Sequence, residues 1–181
     1  MIYLFLAEGF EEIEALTPLD ILRRAGKDVR TVGVGGSTIR GSHGIPVVCD
    51  TTIDAVSLAD APEAVILPGG MPGTNNLECD DTVRGFVRAA FEDGKPVCAI
   101  CAAPSILGHM GLLEGRRATC FPGFEQALLG AHVTGESVCR DGNILTAKGA
   151  GVAADFGFAI TEALCGAETA QKLRSSMQCH A

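Results

Sequence analysis

Ten residues in the middle of the chain decide its fold: Pro96-Val97-Cys98-Ala99-Ile100-Cys101-Ala102-Ala103-Pro104-Ser105. The apolar run Val97–Ile100 predicts a buried β-strand, and a helical pattern follows Cys101 through Leu107. A strand that turns directly into a helix at a cysteine is typical of a nucleophile elbow, where the sharp turn requires small residues two positions before and two positions after the nucleophile. Ala99 and Ala103 occupy those two positions.

Outward from this strand, the chain alternates apolar runs with helical patterns. The other runs are Ile2–Leu6, Val29–Val34, Ala64–Leu67 and Ile144–Ala147, and the helical patterns lie at about Ile13–Ala25, Asp81–Glu92 and Val152–Leu164. This alternation predicts an α/β fold with a mainly parallel sheet between layers of helices. Asp141-Gly142 indicates a hairpin turn within Val138–Thr146. Pro18 predicts a kink in the first helix, or a short turn followed by a helix capped by Thr17.

Length and composition indicate one globular domain. The chain has 181 residues, of which 47% are hydrophobic and 20% charged, and this balance excludes disorder. We expect a single domain over residues 1–174 and a flexible tail over residues 175–181. The net charge of −8 argues against nucleic acid or an anionic membrane as a partner, because both require a basic face.

The sequence also favours a cytoplasmic location. No apolar run approaches the roughly 18–20 residues of a membrane span. The opening run Met1–Leu6 has no basic residue before it and is soon followed by Glu8, unlike the start of a signal peptide.

Eight cysteines are scattered along the chain, several of them inside apolar segments, and their spacing lacks the paired C-x-x-C knuckles of a structural zinc site. We therefore expect reduced thiols and no metal. Cys98 and Cys101 form one C-x-x-C, but extended chain places them roughly 10 Å apart. A disulfide tolerates at most about 7 Å between Cα atoms. A redox disulfide is therefore disfavoured.

Cys101 is the first candidate for a catalytic residue, because sites in parallel sheets form beyond the carboxyl ends of the strands. An elbow places its sulfur at a helix N-terminus, which favours the thiolate. The alternative interpretation is a small buried residue without chemistry. A cysteine peptidase is disfavoured, since His109 lies about 12 Å along the predicted helix and Ala102, not histidine, follows the cysteine.

The candidates for a proton-transferring partner are Glu11, Glu12 and Glu14, which follow the first strand. On a helical turn, Glu11 and Glu14 share one face and Glu12 points elsewhere. A carboxyl buried beside a forming thiolate has a raised pKa and can share a proton with it. For Glu14 this role and that of a solvated first-turn acid both stay open, whereas Glu12 is interpreted as a solvated acid.

Two adjacent glycines, Gly69 and Gly70, follow the run Ala64–Leu67. Glycines at a strand end let the backbone approach a ligand closely. The N–H groups of Gly70 and Ala102 would together form an oxyanion hole for a carbonyl that Cys101 attacks. A plain Gly-Gly turn is the alternative, and the sequence contains no phosphate-binding loop.

Four segments, in this order, closely resemble the ThiJ/PfpI superfamily, in its branch around the parkinsonism-associated deglycase and its bacterial relatives: Gly9-Phe10-Glu11-Glu12-Ile13-Glu14, Leu67-Pro68-Gly69-Gly70, Ala99-Ile100-Cys101-Ala102-Ala103-Pro104 and Lys148-Gly149-Ala150-Gly151. The resemblance extends from Met1 to about Lys172. It implies a flavodoxin-like three-layer sandwich, a homodimer, and no metal or organic cofactor. By position it implies that Cys101 is the nucleophile and that Glu14 is a protonated acid hydrogen-bonded to it. Gly69, Gly70 and Ala102 would form the oxyanion and substrate-binding backbone.

The activities of this family give two hypotheses. In the first, the chain is an enzyme of the glutathione-independent glyoxalase or deglycase type. Cys101 attacks a small 2-oxoaldehyde or its protein adduct, and Glu14 transfers the proton that yields a 2-hydroxy acid. In the second, the chain is an oxidative-stress sensor or redox-regulated chaperone, in which Cys101 oxidises to a sulfinate held by Glu14 and local amides.

Four residues decide how much of the family's site can be expected in this chain. Three of them differ from the family pattern and one is retained. Phe121 stands where some members carry a histidine, so it cannot perform acid–base chemistry. His43 replaces an arginine of many relatives, so a cation supplied by a partner subunit is not expected. Ala150 replaces a common proline, which predicts a looser loop. Arg24 is retained and is interpreted as a solvated cation at a helix end.

Overall fold

The computed structural model describes residues 1–179 and contains a seven-stranded central sheet. In chain order the strands are β1 (Ile2–Ala7), β2 (Val29–Val34), β3 (Thr38–Arg40), β4 (Pro46–Val48), β5 (Thr51–Thr52), β6 (Ala64–Leu67), β7 (Val97–Ile100), β8 (Arg117–Ala118), β9 (His132–Val133), β10 (Val138–Asp141) and β11 (Ile144–Ala147). The order across the sheet is β10-β11-β7-β6-β1-β2-β5. Its neighbouring pairs are parallel except for the β10–β11 hairpin. Both the mainly parallel sheet and the hairpin are confirmed.

Helices connect the strands and cover the sheet. They are α1 (Glu12–Arg24), α2 (Gly73–Cys79), α3 (Asp81–Glu92), α4 (Pro104–His109), α5 (Ala153–Cys165) and α6 (Ala167–Ser176). The predicted bounds of α3 are confirmed, and the Asp80 carboxylate caps it by accepting the N–H groups of Thr82 and Val83. Over residues 1–179, none of the helices combines the length and the apolar content that crossing a bilayer requires.

The core lies on both faces of the sheet. Tyr3 and Phe5 of β1 belong to a cluster that includes side chains of α2, α3 and α4, whereas Ile2 and Leu4 belong to a second cluster with side chains of α1 and α5. Successive side chains of a strand point to opposite faces, so a strand covered on both faces is apolar throughout. The three layers form the flavodoxin-like sandwich that the resemblance implies.

The first helix differs from one of the two predicted alternatives. It is continuous from Glu12 to Arg24 with Pro18 inside it, so a helix that begins after Thr17 is wrong. Tertiary packing explains why the proline is tolerated. A Cβ added to Gly157 of α5 would lie 3.1 Å from the Cα of Pro18, and α1 and α5 therefore approach closely.

The C-terminal segment is ordered further than the sequence predicts. Helix α6 extends through Ser176, so the first two residues of the segment that the sequence predicts to be a flexible tail are helical. The reason is packing against α5: the Arg174 guanidinium lies 2.9 Å from the Asp155 carboxylate and 4.3 Å from the centre of the Phe158 ring. The last two residues of the predicted tail, His180 and Ala181, lie outside the described residues.

Candidate active site

Cys101 lies at the turn between β7 and α4, at the carboxyl edge of the sheet. Its φ of 66° is in the left-handed region that residues with a side chain seldom adopt. The Cys101 N–H donates to the Ala147 carbonyl at 2.9 Å, and its carbonyl accepts the Phe121 N–H at 2.8 Å. Ala99 and Ala103 are completely buried on either side. The backbone thus adopts the sharp strand-to-helix turn that the sequence predicts.

Glu14 reaches the same edge from the first turn of α1. Its side chain is 1% exposed, and its Oε2 accepts the Gly69 N–H at 2.9 Å. The carboxyl also faces the Cys101 thiol and the Ala150 N–H, and both act as donors that lower its pKa. The Glu11 N–H donates to the Gly69 carbonyl at 2.9 Å, and this bond ties the start of α1 to the loop after β6.

Gly69 and Gly70 lie beside the thiol and the acid, where there is no room for a side chain. A Cβ on Gly69 would lie 2.6 Å from both the Cys101 Cβ and the Glu14 Oε2. Gly70 has a φ of 89°, and a Cβ there would lie 2.4 Å from the Glu11 nitrogen. The N–H groups of Gly70 and Ala102 both form hydrogen bonds with the Cys101 sulfur. The structure therefore brings all five predicted site residues together.

The pKa of Glu14 lies near neutrality. Burial raises it from 4.5 to about 7, and the negative charge of Glu11 acts in the same direction. Hydrogen bonds from the Cys101 thiol and from the N–H groups of Gly69 and Ala150 act in the opposite direction, because they stabilise the carboxylate. A carboxyl with this pKa can both accept and donate a proton at neutral pH.

The pKa of Cys101 differs from the sequence-based expectation. Burial, then the charge of Glu14 and its hydrogen bond with the thiol, raise the pKa of Cys101 to about 12, although the N–H groups of Gly70 and Ala102 act to lower it. The N–H groups at the elbow thus favour the thiolate in the predicted direction, but burial and the charge of Glu14 outweigh them. The half-buried Cys101 thiol and the buried Glu14 carboxyl are in contact and share a proton, so the pair titrates as a unit.

Glu12 is a buried residue that sequence reasoning interpreted as solvated, and this interpretation is wrong. The turn after β3 covers it: Oε1 accepts the His43 N–H at 2.9 Å and the Ile45 N–H at 3.3 Å, and the His43 Nδ1 lies 3.0 Å from Oε2. Burial alone would raise the pKa of Glu12, but these hydrogen bonds outweigh it and the pKa is lowered. The contacts of Glu12 join residues 31 positions apart, for which the sequence carries no local signal.

A shallow groove of about 300 Å³ lies beside the pair, lined by Phe121, Pro122, Lys148, Gly149, Ala150, Gly151 and Val152. A Cβ on Gly149 would lie 3.2 Å from Phe121 Cδ2 and 3.6 Å from Glu14 Oε1, so this lining residue separates the Phe121 ring from the acid by only a short distance. Ala150 begins a short 3₁₀ helix, Ala150–Val152. Sequence reasoning did not assign its N–H a role, because a backbone donor leaves no residue signature. Arg24 is half-exposed and pairs with Asp20 at 2.7 Å.

The fold and the site define a class of protein: α/β sandwiches that carry a cysteine at a nucleophile elbow next to a buried acid. Comparison with known proteins identifies the family. The DJ-1/PfpI family profile matches residues 1–163, and the chain belongs to this family. The protein dj-1beta of Drosophila melanogaster is 34% identical over 175 residues, which cover 95% of this chain and 93% of the relative.

A named enzyme and a solved structure are also similar. A deglycase of Pyrococcus horikoshii is 34% identical over 148 residues, covering 80% of this chain and 88% of the relative. The structure of oxidized DJ-1 from Toxoplasma gondii superposes with a TM-score of 0.95 at 30% identity, covering 99% of this chain and 98% of that one. These similarities support a DJ-1-like enzyme or stress protein.

Proposed function

We propose that the chain is a cysteine-dependent enzyme that converts small 2-oxoaldehydes, free or as early adducts on proteins, to 2-hydroxy acids. The observation that carries this proposal is the contact between the Cys101 thiol and the buried Glu14 carboxyl, whose pKa is raised to about 7. The similarity to a Pyrococcus horikoshii deglycase supports it.

The reaction needs no external oxidant. The Glu14 carboxylate takes the thiol proton while the Cys101 sulfur bonds to the aldehyde carbon, which gives a hemithioacetal. Glu14 passes the thiol proton to the attacked oxygen and is again free to take the hydrogen on that carbon as a proton. It returns this proton to the neighbouring carbonyl carbon while the hydroxyl proton of the first carbon moves to the oxygen of the second, so the first carbon is oxidised to a thioester as the second is reduced to an alcohol. Water hydrolyses the thioester, which releases the 2-hydroxy acid and restores the thiol.

Two backbone donors would support the steps at the aldehyde carbon. The N–H groups of Gly70 and Ala102 form hydrogen bonds with the sulfur in the free protein. We assign them to the oxyanion that develops on the attacked oxygen, where removing one such donor costs about 10²–10³-fold in kcat. We also propose a homodimer, for which sedimentation velocity should give twice the chain mass of 18.7 kDa.

The test is turnover of methylglyoxal, followed as D- and L-lactate by enzymatic assay. Cys101→Ser should lose at least about 10³-fold in kcat/KM, because a hydroxyl is a far weaker nucleophile than a thiol. Cys79→Ser is the matched control, since Cys79 is an exposed free thiol outside the site. Equal turnover by wild type and Cys101→Ser would end the proposal.

A second function is favoured by one observation, the partial exposure of the Cys101 thiol beside several hydrogen-bond donors. Under peroxide, the sulfur would gain two oxygens as a sulfinate while two peroxide molecules are reduced to water. The oxidized state of the similar Toxoplasma gondii DJ-1 fits this reading. Intact-mass and peptide mass spectrometry after mild peroxide should show oxidation at Cys101 before the exposed Cys79; the reverse order rejects the sensor function.

A further inference from the structure

Phe121 is a large apolar side chain that is left 47% exposed directly beside the Cys101–Glu14 pair. Its backbone is anchored there, because its N–H donates to the Cys101 carbonyl at 2.8 Å. Its ring carbon Cδ2 and the Glu14 Oε1 both lie within 4 Å of a Cβ position on Gly149. An exposed aromatic ring fixed next to the reacting groups is available to contact substrate.

The groove at Phe121 is apolar along most of its length. Pro122 continues the wall from the ring, and Gly149 and Val152 face the same space, with Lys148 as the charged residue of the lining. The groove is open and has a volume of about 300 Å³, so a ring-sized apolar group can lie along it. Its lining residue Gly149 lies next to the Glu14 carboxyl, which places such a group close to the reacting pair.

We propose that Phe121 is a specificity-determining residue that selects 2-oxoaldehydes with an aromatic or bulky apolar substituent over methylglyoxal. This inference rests on the proposed function. The aldehyde carbon lies at Cys101 and the substituent on the second carbonyl carbon packs against the Phe121 ring. Burial of a phenyl ring against this wall removes more apolar surface from water than burial of a methyl group. A phenyl substituent should therefore gain more binding from Phe121 than a methyl substituent does. A polar residue at position 121 would remove this gain.

The test compares phenylglyoxal with methylglyoxal in wild type, Phe121→Asn and Phe121→Leu. Each substrate has its own intrinsic reactivity, so the quantity measured is the ratio of kcat/KM for the two substrates in each variant, divided by that ratio in wild type. Phe121→Asn should lower the ratio about tenfold, and Phe121→Leu should restore most of it, because a hydrophobic contact of this size is worth about 10–200-fold. Leu129→Asn removes an exposed apolar side chain outside the groove and should leave the ratio unchanged.

Binding separates the failure of this inference from the failure of the proposed function. In Cys101→Ser protein, isothermal titration with mandelate and lactate, the two 2-hydroxy acid products, should give tighter binding of mandelate that Phe121→Asn abolishes. If wild type turns over neither aldehyde but this preference persists, the proposed reaction is wrong and the apolar groove stands. If both aldehydes are turned over with the same ratio in wild type and Phe121→Asn, and mandelate gains nothing, the specificity role of Phe121 is rejected.

Discussion

Glu12 and Glu14 lie two residues apart on the first turn of α1, and both are buried, yet their pKa values move in opposite directions. Glu12 accepts hydrogen bonds from two backbone N–H groups and from the side chains of Ser42 and His43, so its charge is well stabilised. Glu14 shares its proton with the Cys101 thiol and is opposed by the charge of Glu11. Glu14 also accepts hydrogen bonds, but burial outweighs them there, whereas at Glu12 the hydrogen bonds outweigh burial. The balance between burial and the donors that face a carboxyl therefore decides the direction of its pKa shift.

The largest expected effect is the difference in turnover between Glu14→Gln and Glu12→Gln. Glutamine at position 14 keeps the size of the side chain but cannot accept the thiol proton, so kcat for methylglyoxal should fall about 10²–10⁴-fold. Glu12 contacts the turn after β3 rather than the thiol, and Glu12→Gln should lose about tenfold or less. Steady-state kinetics at pH 7 check both, and similar losses in the two variants would contradict the division of roles.

Gly69→Ala tests whether the contact between thiol and acid is needed. The new Cβ would lie 2.6 Å from both the Cys101 Cβ and the Glu14 Oε2, so the pair must separate or the loop must shift. We expect kcat to fall by about 10²-fold, and the free energy of unfolding to fall by about 1–3 kcal/mol.

Gly85→Ala is the control for this substitution. Gly85 lies in α3, where the added Cβ would make ordinary contacts of 3.6 Å with Leu58. Alanine there should leave turnover unchanged and raise stability by about 0.5–1 kcal/mol, since glycine is unfavourable inside a helix. Full turnover by Gly69→Ala would show that the two groups need not touch.

The pH dependence of stability should have opposite signs at the two acids. The folded-state pKa of Glu14 is raised from 4.5 to about 7, so the native protein binds more protons than the unfolded chain between these values and loses stability as pH rises through them. The loss is about 3 kcal/mol. The pKa of Glu12 is lowered, so its stabilising contribution is present above pH 4.5 and is lost as pH falls through the folded-state pKa.

Urea unfolding at pH values from about 2.5 to 8 checks both signs. Relative to wild type, Glu14→Gln should become more stable as pH rises from about 5 to 8, whereas Glu12→Gln should become less stable as pH rises toward about 4.5. If the stability of the two variants relative to wild type changed with pH in the same way, the two acids would have the same environment. This would contradict the hydrogen bonds described above.

The elbow could be predicted from sequence because its determinants are local: an apolar run, a cysteine, and alanines two positions to either side. The approach of Glu14 to Cys101 followed from the rule that parallel strands end at one edge, together with the resemblance to a family. The burial of Glu12 could not be predicted, because the groups that cover it are some thirty residues away in a turn without a distinctive motif. The pKa of Cys101 was also out of reach, since it depends on burial and on the distance to one acid.

The smallest expected effect concerns a single donor to Glu14. The Ala150 N–H faces the Glu14 carboxyl and lowers its pKa, because a donor stabilises the carboxylate. Proline has no N–H and is tolerated at the first position of a helical turn, which Ala150 occupies, and Gly149 before it is outside the α region that a following proline disfavours. Ala150→Pro should therefore raise the pKa of Glu14 and move the pH profile of kcat/KM to higher pH by about half a unit to one unit. Ala150→Ser keeps the N–H and should keep the wild-type profile. If the proline and serine variants give the same pH profile, the Ala150 N–H does not affect the pKa of Glu14. The opposite pKa shifts of Glu12 and Glu14 then do not depend on this donor.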